Sequence, residues 1–586
     1  MKGNNKGITL IALVITIIIL IILAAISISM LLGDEGIIER AKRASANYTV
    51  AAEEEQEYLE YLNGLLDDDT FEEARGNGTL SGEGTESSPY LIQSIEDLVY
   101  LSNQVKGGNN YTGECFRLEI SLDFKDRRSY LNPDSKDFGD INEDTATGTL
   151  FEELTTGKGF YPIGKDSAGY YFEGIFDGNN KSISNIQGRP LFGHINNSTI
   201  KNLKMLNVNI LYGQGGITNI ASGTITISDC QTTGEINYSG YKIGGIIGKD
   251  SSGTLRVSST SNGINITSTS AAAGIVGDLG ASSTFENCSN TGNLTGAGYI
   301  GGIAGDTYGI GSYGTANFTN CYNSGTITAT SSYVGGIEGR PVPGTISYCY
   351  NTGEINCRGY AGGIVGAYAA SDQVPTITHC YNTGTINATG SVNYIGGIMG
   401  NMGSANKTIS YCYNTGAINI TGTASEIGGI CGMYGNIENC YNTGDITIQS
   451  PSSIGSIGGI LGYASGSNIT NCYNTGKIAA TSDTNKGANT GGIVGYDGRL
   501  TNCYNIGEIE TNSSLDTTIG SVAGYPSSIS SCYYLEGTYE VAIGRTSDYD
   551  VTSFEDEDTM KSTMNTKFAT IEGWKASTTG GYPEFQ

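Results

Sequence analysis

Over residues 211–535 the apolar positions fall at alternate sites in short runs, as in T-I-S-Y-C at 345–349 and E-I-N-C at 354–357. That alternation predicts half-buried β-strands. N-T-G and other polar phrases separate the runs, and such residues mark turns. Helices fail on two counts. They need amphipathic stretches of about 10–15 residues. Each unit also carries five or more Gly, each costing about 1 kcal/mol in a helix.

The N-terminal part reads differently. Residues 8–32 are a 25-residue apolar run interrupted only by Thr and Ser. About 20 such residues span a bilayer as a helix, whereas a cleavable secretory signal has an apolar core of about 7–15. Lys2 and Lys6 precede the run and predict a cytoplasmic N-terminus with the bulk of the chain outside; Arg40, Lys42 and Arg43 beyond it pull the other way. Residues 33–69 keep apolar residues at helical spacing and predict an extended helix. A further helix is predicted near 94–105, where Ser94 can cap, Asp97 follows three residues on, and Leu98, Leu101 and Val105 form a stripe.

The strand pattern is periodic. Cys recurs at 230, 288, 321, 349, 380, 412, 440, 472, 503 and 532, mostly 28–33 residues apart. The gap from 230 to 288 holds a worn rung, S-T-S-N-G at 259–263. A second phrase, G-G-I-x-G, interleaves with the first, for example at 335, 362 and 396. A fixed period near 30 means one supersecondary unit stacked many times, and coils of this size and composition predict a right-handed parallel β-helix. About eleven coils at roughly 4.8 Å apiece give an array on the order of 50 Å long, preceded by a lead-in module.

The pattern also assigns faces. Cys321, Cys349, Cys380, Cys412, Cys440, Cys472 and Cys503 are expected as a buried column of small apolar residues. Adjacent coils also bring Cys pairs within disulfide range at the Cα atoms, although in-register Cβ atoms sit farther apart than a bridge prefers. Asn323, Asn351, Asn382, Asn414, Asn442, Asn474 and Asn505 are expected to form an amide ladder. The Gly after N-T is expected to supply a positive φ, and the paired Gly before Ile to allow close backbone approach. The Tyr after each Cys makes a further column, either self-stacked or presented to sugar rings.

Composition narrows the function. Gly numbers 87 and Pro only 10, without a collagen period. The net charge is −27 and no basic patch with interleaved aromatics occurs, which argues against nucleic acid. Thirteen Cys include no C-x-x-C pair, and the two His, His194 and His379, are far apart; both read as structural, and zinc sites and histidine-based catalysis are not expected. Glu173 and Asp177 flank F-E-G-I-F-D-G, but D-G-N is turn chemistry. Acidic stretches at 67–69 and 548–558 lack an EF-hand pattern. No cofactor, metal or catalytic residue is expected.

The phrase K-G-I-T-L-I-A-L-V-I-T-I-I-I-L at 6–20 resembles the leader of type IV pilins and pseudopilins. In that family a peptidase cuts after the Gly and the new first residue is usually N-methylated, which the resemblance transfers to Gly7 and Ile8. Pilins carry Glu where this chain has Ala12, so a contact used in filament assembly is missing. A plain signal anchor is the alternative. The phrases F-Y-P-I-G at 160–164, F-E-G-I-F-D-G-N-N at 172–180 and P-L-F-G at 190–193, with the repeats, resemble bacterial surface proteins carrying GLUG repeats. Adhesins and the non-catalytic regions of immunoglobulin-A proteases are among them.

The expectation is therefore an all-β, right-handed parallel β-helix behind an N-terminal transmembrane, pilin-like α-helix. The divisions are a leader and membrane helix at 1–33, a stalk at 34–76, a lead-in module at 77–210, the repeats at 211–535 and a C-terminal cap at 536–586. The expected role is non-enzymatic: a single-pass cell-membrane protein with its bulk outside, acting in adhesion or with pilin or pseudopilin subunits, with host or matrix glycans or proteins as partners. The alternatives are a β-helical polysaccharide lyase or glycosidase, or a structural spacer.

Overall fold

The computed structural model of this protein describes residues 80–126, 129, 160–165, 169–240, 242–307, 314–330, 333–367, 374–404, 406–483, 488–512, 518–545 and 549–586. The chain divides into two units, Met1–Ala74 and Arg75–Gln586. The apolar run, the stalk, Gly7, Ile8 and Ala12 lie outside the described residues. Among the described residues no helix is long and apolar enough to cross a membrane.

The second unit is a parallel β-solenoid of about 13 turns. The lead-in supplies coils of its own: Tyr90–Ile92, Cys115–Leu118, Ile175–Asp177 and Thr199–Lys201 stack as successive parallel rungs. Helix α1 (Ile95–Lys106) follows the first rung. The Ser94 side chain accepts from the Asp97 amide at 3.1 Å, and Asp97 accepts in return from the Gln93 amide at 2.8 Å, so one free amide of the first turn and the amide just before the cap are satisfied.

One coil shows how the repeat folds. Tyr350–Asn351, Ile355–Cys357, Tyr360–Gly362, Val365–Ala367 and Thr376–Thr378 are five short strands. Each pairs in parallel with the equivalent phrase one period on, giving Tyr350↔Tyr381, Ile355↔Ile386, Val365↔Met399 and Ile377↔Ile409. Alternation turns Cys349, Ile355, Ala361, Ile364, Val365 and Ile377 inward, where all are buried. The worn rung keeps both inward roles: Thr260 is buried in the Cys position, and Asn262 pairs with Asn290.

The tight corner of the coil is not where the sequence placed it. The Gly of N-T-G is not in the left-handed region. That conformation belongs to the residue before each Cys, with φ of +54° at Asn320, +56° at Tyr348, +55° at His379, +52° at Tyr411 and +53° at Asn439. The Gly of N-T-G is needed for proximity instead: a Cβ on Gly353 would lie 2.1 Å from the Gly325 carbonyl oxygen of the preceding coil. Paired Gly are likewise a matter of close approach. A Cβ on Gly336 would meet the Gly363 carbonyl oxygen at 2.1 Å.

All thirteen Cys are free and buried. Within the column, thiols donate to the carbonyl two residues back, as Cys349 to Ser347 at 3.3 Å and Cys380 to Thr378 at 3.3 Å. Burial pushes the thiols of Cys321, Cys349 and Cys380 well above the ordinary range, and a protonated buried thiol is inert. All thirteen are shielded from solvent, so none is expected to react with a thiol reagent at pH 8 in the native protein, and all should react in guanidinium. A native count of several reactive thiols, or a shortfall after denaturation, would contradict this.

After the rung Cys532–Leu535, the strand Val551–Phe554 adds one more parallel neighbour. Helix α2 (Glu557–Phe568), capped by Asp556, and an antiparallel pair of Trp574–Lys575 with Glu584–Phe585 complete the chain. This C-terminal strap packs on the side of the solenoid. Met560, Met564, Phe568 and Trp574 are buried with Tyr473 and Tyr504, which lie two coils and one coil before the last rung.

Candidate functional site

The repeated polar residues separate into an inner and an outer set. Inside, Asn262, Asn290, Asn323, Asn351, Asn382, Asn414, Asn442, Asn474 and Asn505 form one ladder. Each Nδ2 donates to the Oδ1 of the next coil, at 2.8 Å for Asn323 to Asn351, Asn351 to Asn382, Asn382 to Asn414, Asn414 to Asn442 and Asn442 to Asn474, and 2.9 Å for Asn474 to Asn505. The second N–H goes to the Gly carbonyl two residues on, as from Asn382 to Gly384 at 2.8 Å. Thr232 ends the ladder at the N-terminal side by donating to Asn262 Oδ1 at 2.9 Å. Fully satisfied and fully buried, these amides are used up in stacking coils.

Outside, Tyr322, Tyr350, Tyr381, Tyr413, Tyr441, Tyr473 and Tyr504 form a continuous stack with centroids 4.8–4.9 Å apart. Ring on ring, they leave little free face for a sugar. The strap covers one end of this column. Trp574 lies 5.7 Å from Tyr473, Phe568 meets Tyr504 edge-on at 5.3 Å, and Phe585 sits 5.2 Å from Tyr441. Polar contacts fix the strap: Trp574 Nε1 donates to Asn439 Oδ1 at 3.1 Å and the Tyr473 hydroxyl to the Pro583 carbonyl at 2.9 Å.

Next to this column runs another, made of the left-handed residues before each Cys. Under the strap it is Asn439, Asn471 and Asn502, linked amide to amide at 3.0 and 2.8 Å. Toward the N-terminal side it becomes Tyr411, whose hydroxyl still reaches the Glu572 carbonyl of the strap at 3.5 Å, and then His379 and Tyr348, stacked at 4.9 and 4.8 Å. Asn tolerates the left-handed region; a bulky Tyr there is a backbone outlier costing about 1–3 kcal/mol. No sequence pattern marks this column, because the residue before Cys changes type from coil to coil while its left-handed conformation does not.

Charged groups converge at one place, where Lys242 reaches Asp278 at 2.8 Å and Asp306 at 3.1 Å and Arg340 stands 3.8 Å from Asp306, so that these charges offset one another. Glu173 accepts from Thr112 and from Asn196 at 2.7 Å, while Asp177 accepts from Asn179 and Asn202 at 2.8 and 2.9 Å, so both carboxylates are occupied in tying neighbouring coils together. Among the described residues no group of His, Cys, Asp and Glu is arranged to hold a metal ion. Two shallow surface grooves are present. One, of about 450 Å³, is lined by Asn185, Gln187, Asn209, Glu235 and Asn265; the other, of about 600 Å³, by Thr481, Glu510, Asn512, Tyr539 and Glu540. Glu510 is paired with Lys477 at 2.5 Å and stays largely exposed, unlike the desolvated acid that glycoside hydrolysis uses.

Two acidic groups are out of place, Asp250 and Glu338, both fully buried with oxygens that lack a hydrogen-bond partner. Glu338 stands between Ala304 and Val365 in an inward column and is fully buried. Its Oε1 accepts from the Val342 amide at 3.3 Å, and Oε2 has no hydrogen-bond partner. Burial pushes its carboxyl well above the ordinary range. The folded protein then holds a proton that the unfolded chain has released, so the contribution of Glu338 to stability is full below about pH 4.3 and falls by about 1.4 kcal/mol per pH unit above it, until the folded group ionises. Glu338→Met, copying Met399 of the same column, is expected to remove that slope. Urea midpoints of both proteins from pH 4 to 7 should diverge as pH rises; parallel curves would refute the assignment.

The fold and these columns define a class, a parallel β-solenoid whose repeated residues serve coil stacking. Comparison with known families places the GLUG motif at residues 423–447 and 453–479. Both stretches run from just before a G-G-I-x-G phrase to just past the following C-Y-N-T-G. No curated protein matches the chain. Among solved structures, a Bacteroides ovatus protein provisionally named an immunoglobulin A1 protease is similar at 16% identity, covering 87% of this chain and 96% of its own, with a TM-score of 0.20.

Proposed function

We propose that this is a non-enzymatic cell-surface protein, a right-handed β-solenoid held outside the cell by its N-terminal apolar segment and acting in adhesion or as a pilus-associated subunit. The observation carrying the non-enzymatic reading is the Asn ladder with its neighbouring columns: the polar residues that repeat are satisfied by one another, and none is left converging on a reaction centre. Handedness follows from the near-universal right-handed crossover between parallel strands. The surface location rests on the run at 8–32 with Lys2 and Lys6 before it. Processing between Gly7 and Ile8 rests on the leader's resemblance to pilins, and Ala12 weighs against filament assembly.

The test is the N-terminus of the mature protein in cells, together with protease accessibility of the solenoid on intact cells. N-methyl-Ile8 with an accessible solenoid supports the pilin-like reading. Intact Met1 with an accessible solenoid leaves a signal anchor, and an inaccessible solenoid overturns the surface location. Release of reducing or unsaturated sugars from polysaccharides, lost in Glu510→Gln, would favour the enzymatic alternative instead.

A further inference from the structure

Three successive coils carry closely related octads: T-I-S-Y-C-Y-N-T at 345–352 and again at 408–415, with T-I-T-H-C-Y-N-T at 376–383 between them. Stacked in register, they build a face two aromatic columns wide. Tyr348, His379 and Tyr411 form one column, and Tyr350, Tyr381 and Tyr413 the other. Tyr348 is 55% exposed. Apart from the imidazole of His379, the octads contain no ionisable charge near neutrality, in a chain with 58 acidic residues and a net charge of −27. Bulky rings are held at left-handed positions where the coils at 287, 320, 439, 471 and 502 use Asn. Stacking coils does not require this, since those Asn coils stack equally well; an outlier of this kind points to a function.

The face runs without a break into an interface already formed. Phe585 of the strap reaches its edge, 6.1 Å from Tyr411 and 6.2 Å from Tyr413. The strap shows what the tyrosine column accepts, which is aromatic edges from a polypeptide. Beyond the strap, the rings of Tyr322, Tyr350 and Tyr381 continue at the same 4.9 Å spacing. A row with that period is matched ring for ring by another row of the same period, and a two-fold axis supplies one, because the same patch then meets itself.

We propose that this aromatic face is a self-association surface through which two copies of the chain pair side by side. Its uncharged character removes the local repulsion that two acidic rods would otherwise meet, and salt, by screening the remaining like charge, should tighten the pairing. The proposal goes beyond the surface role above and does not depend on it.

The test uses the full chain in detergent micelles, with sedimentation velocity up to about 100 µM, a range that reports weak homodimers. The wild-type chain should show a reversible dimer that strengthens with salt. Tyr348→Asn/His379→Asn, which copies the residue used in neighbouring coils, should weaken it at least tenfold with melting unchanged or raised. Thr345→Asp/Thr376→Asp, at two exposed positions of the same octads, should do the same. A photo-crosslinking amino acid at position 348 should give a covalent homodimer, and one at exposed Val541 should not. A wild-type monomer throughout, a dimer that survives both variants, or crosslinks at 348 to other molecules only would overturn the proposal.

Discussion

Asn382→Ala is expected to destabilise the central coils by about 3–5 kcal/mol. The substitution removes three buried hydrogen bonds together: from Asn351 Nδ2, to Asn414 Oδ1 and to the Gly384 carbonyl. Three polar groups are then left inside without partners, each at about 1–3 kcal/mol. Water cannot replace the lost amide, because the ladder is fully buried. Thr232→Val, at the end of the ladder, deprives Asn262 of one donor and should cost only about 1 kcal/mol. Long repeat arrays need not unfold in one step, so the measurement is hydrogen exchange of amides in residues 349–416. Equal effects of the two substitutions would show that the ladder does not act as a continuous column.

The second large effect is expected at Trp574. Fully buried, it packs against Phe568 at 5.1 Å, Phe585 at 4.6 Å and Tyr473 at 5.7 Å, and its indole N–H reaches Asn439. Trp574→Ala should weaken docking of the strap by about 3–5 kcal/mol. The strap would then be cleaved by protease at concentrations that leave the solenoid intact. Trp574 is also the chain's single Trp, which makes it a clean reporter. Its emission should be blue-shifted in the native protein and move red at lower urea than the loss of β-structure. Coincident transitions would mean that strap and coils form one cooperative unit.

The architecture was legible because its determinants repeat. Alternation gave the strands, the period gave the coils, and the Cys and Asn columns followed from which residues share a phase. The corner was misread because Gly is the usual left-handed residue. Here Asn, Tyr and His occupy that conformation, and the N-T-G glycine answers to the carbonyl of the neighbouring coil. The strap was hidden for a different reason. Phe568, Trp574, Tyr582 and Phe585 are ordinary aromatics in a short tail; their meaning comes from contacts with tyrosines about 70–170 residues earlier, which no local pattern announces. Glu338 was likewise invisible, since a Glu in G-G-I-E-G reads as exposed until its neighbours in the column are known. Of the candidate surface, the tyrosines after Cys could be read from sequence, and the aromatic column beside them could not.

The strap also determines how the protein responds to force. The hydrogen bonds between coils run along the solenoid axis, so tension along that axis would peel coils one at a time, each transition loading only a few bonds. The strap lies across the coils of Tyr441, Tyr473 and Tyr504. A pull on the C-terminus therefore first meets aromatic contacts with several coils loaded in shear, and reaches the last rung only after they give way. The strap is a mechanical latch: a chain tethered at its N-terminus and pulled from its other end should yield first at α2 and the Trp574–Lys575 strand, with the coils unravelling only at higher extension.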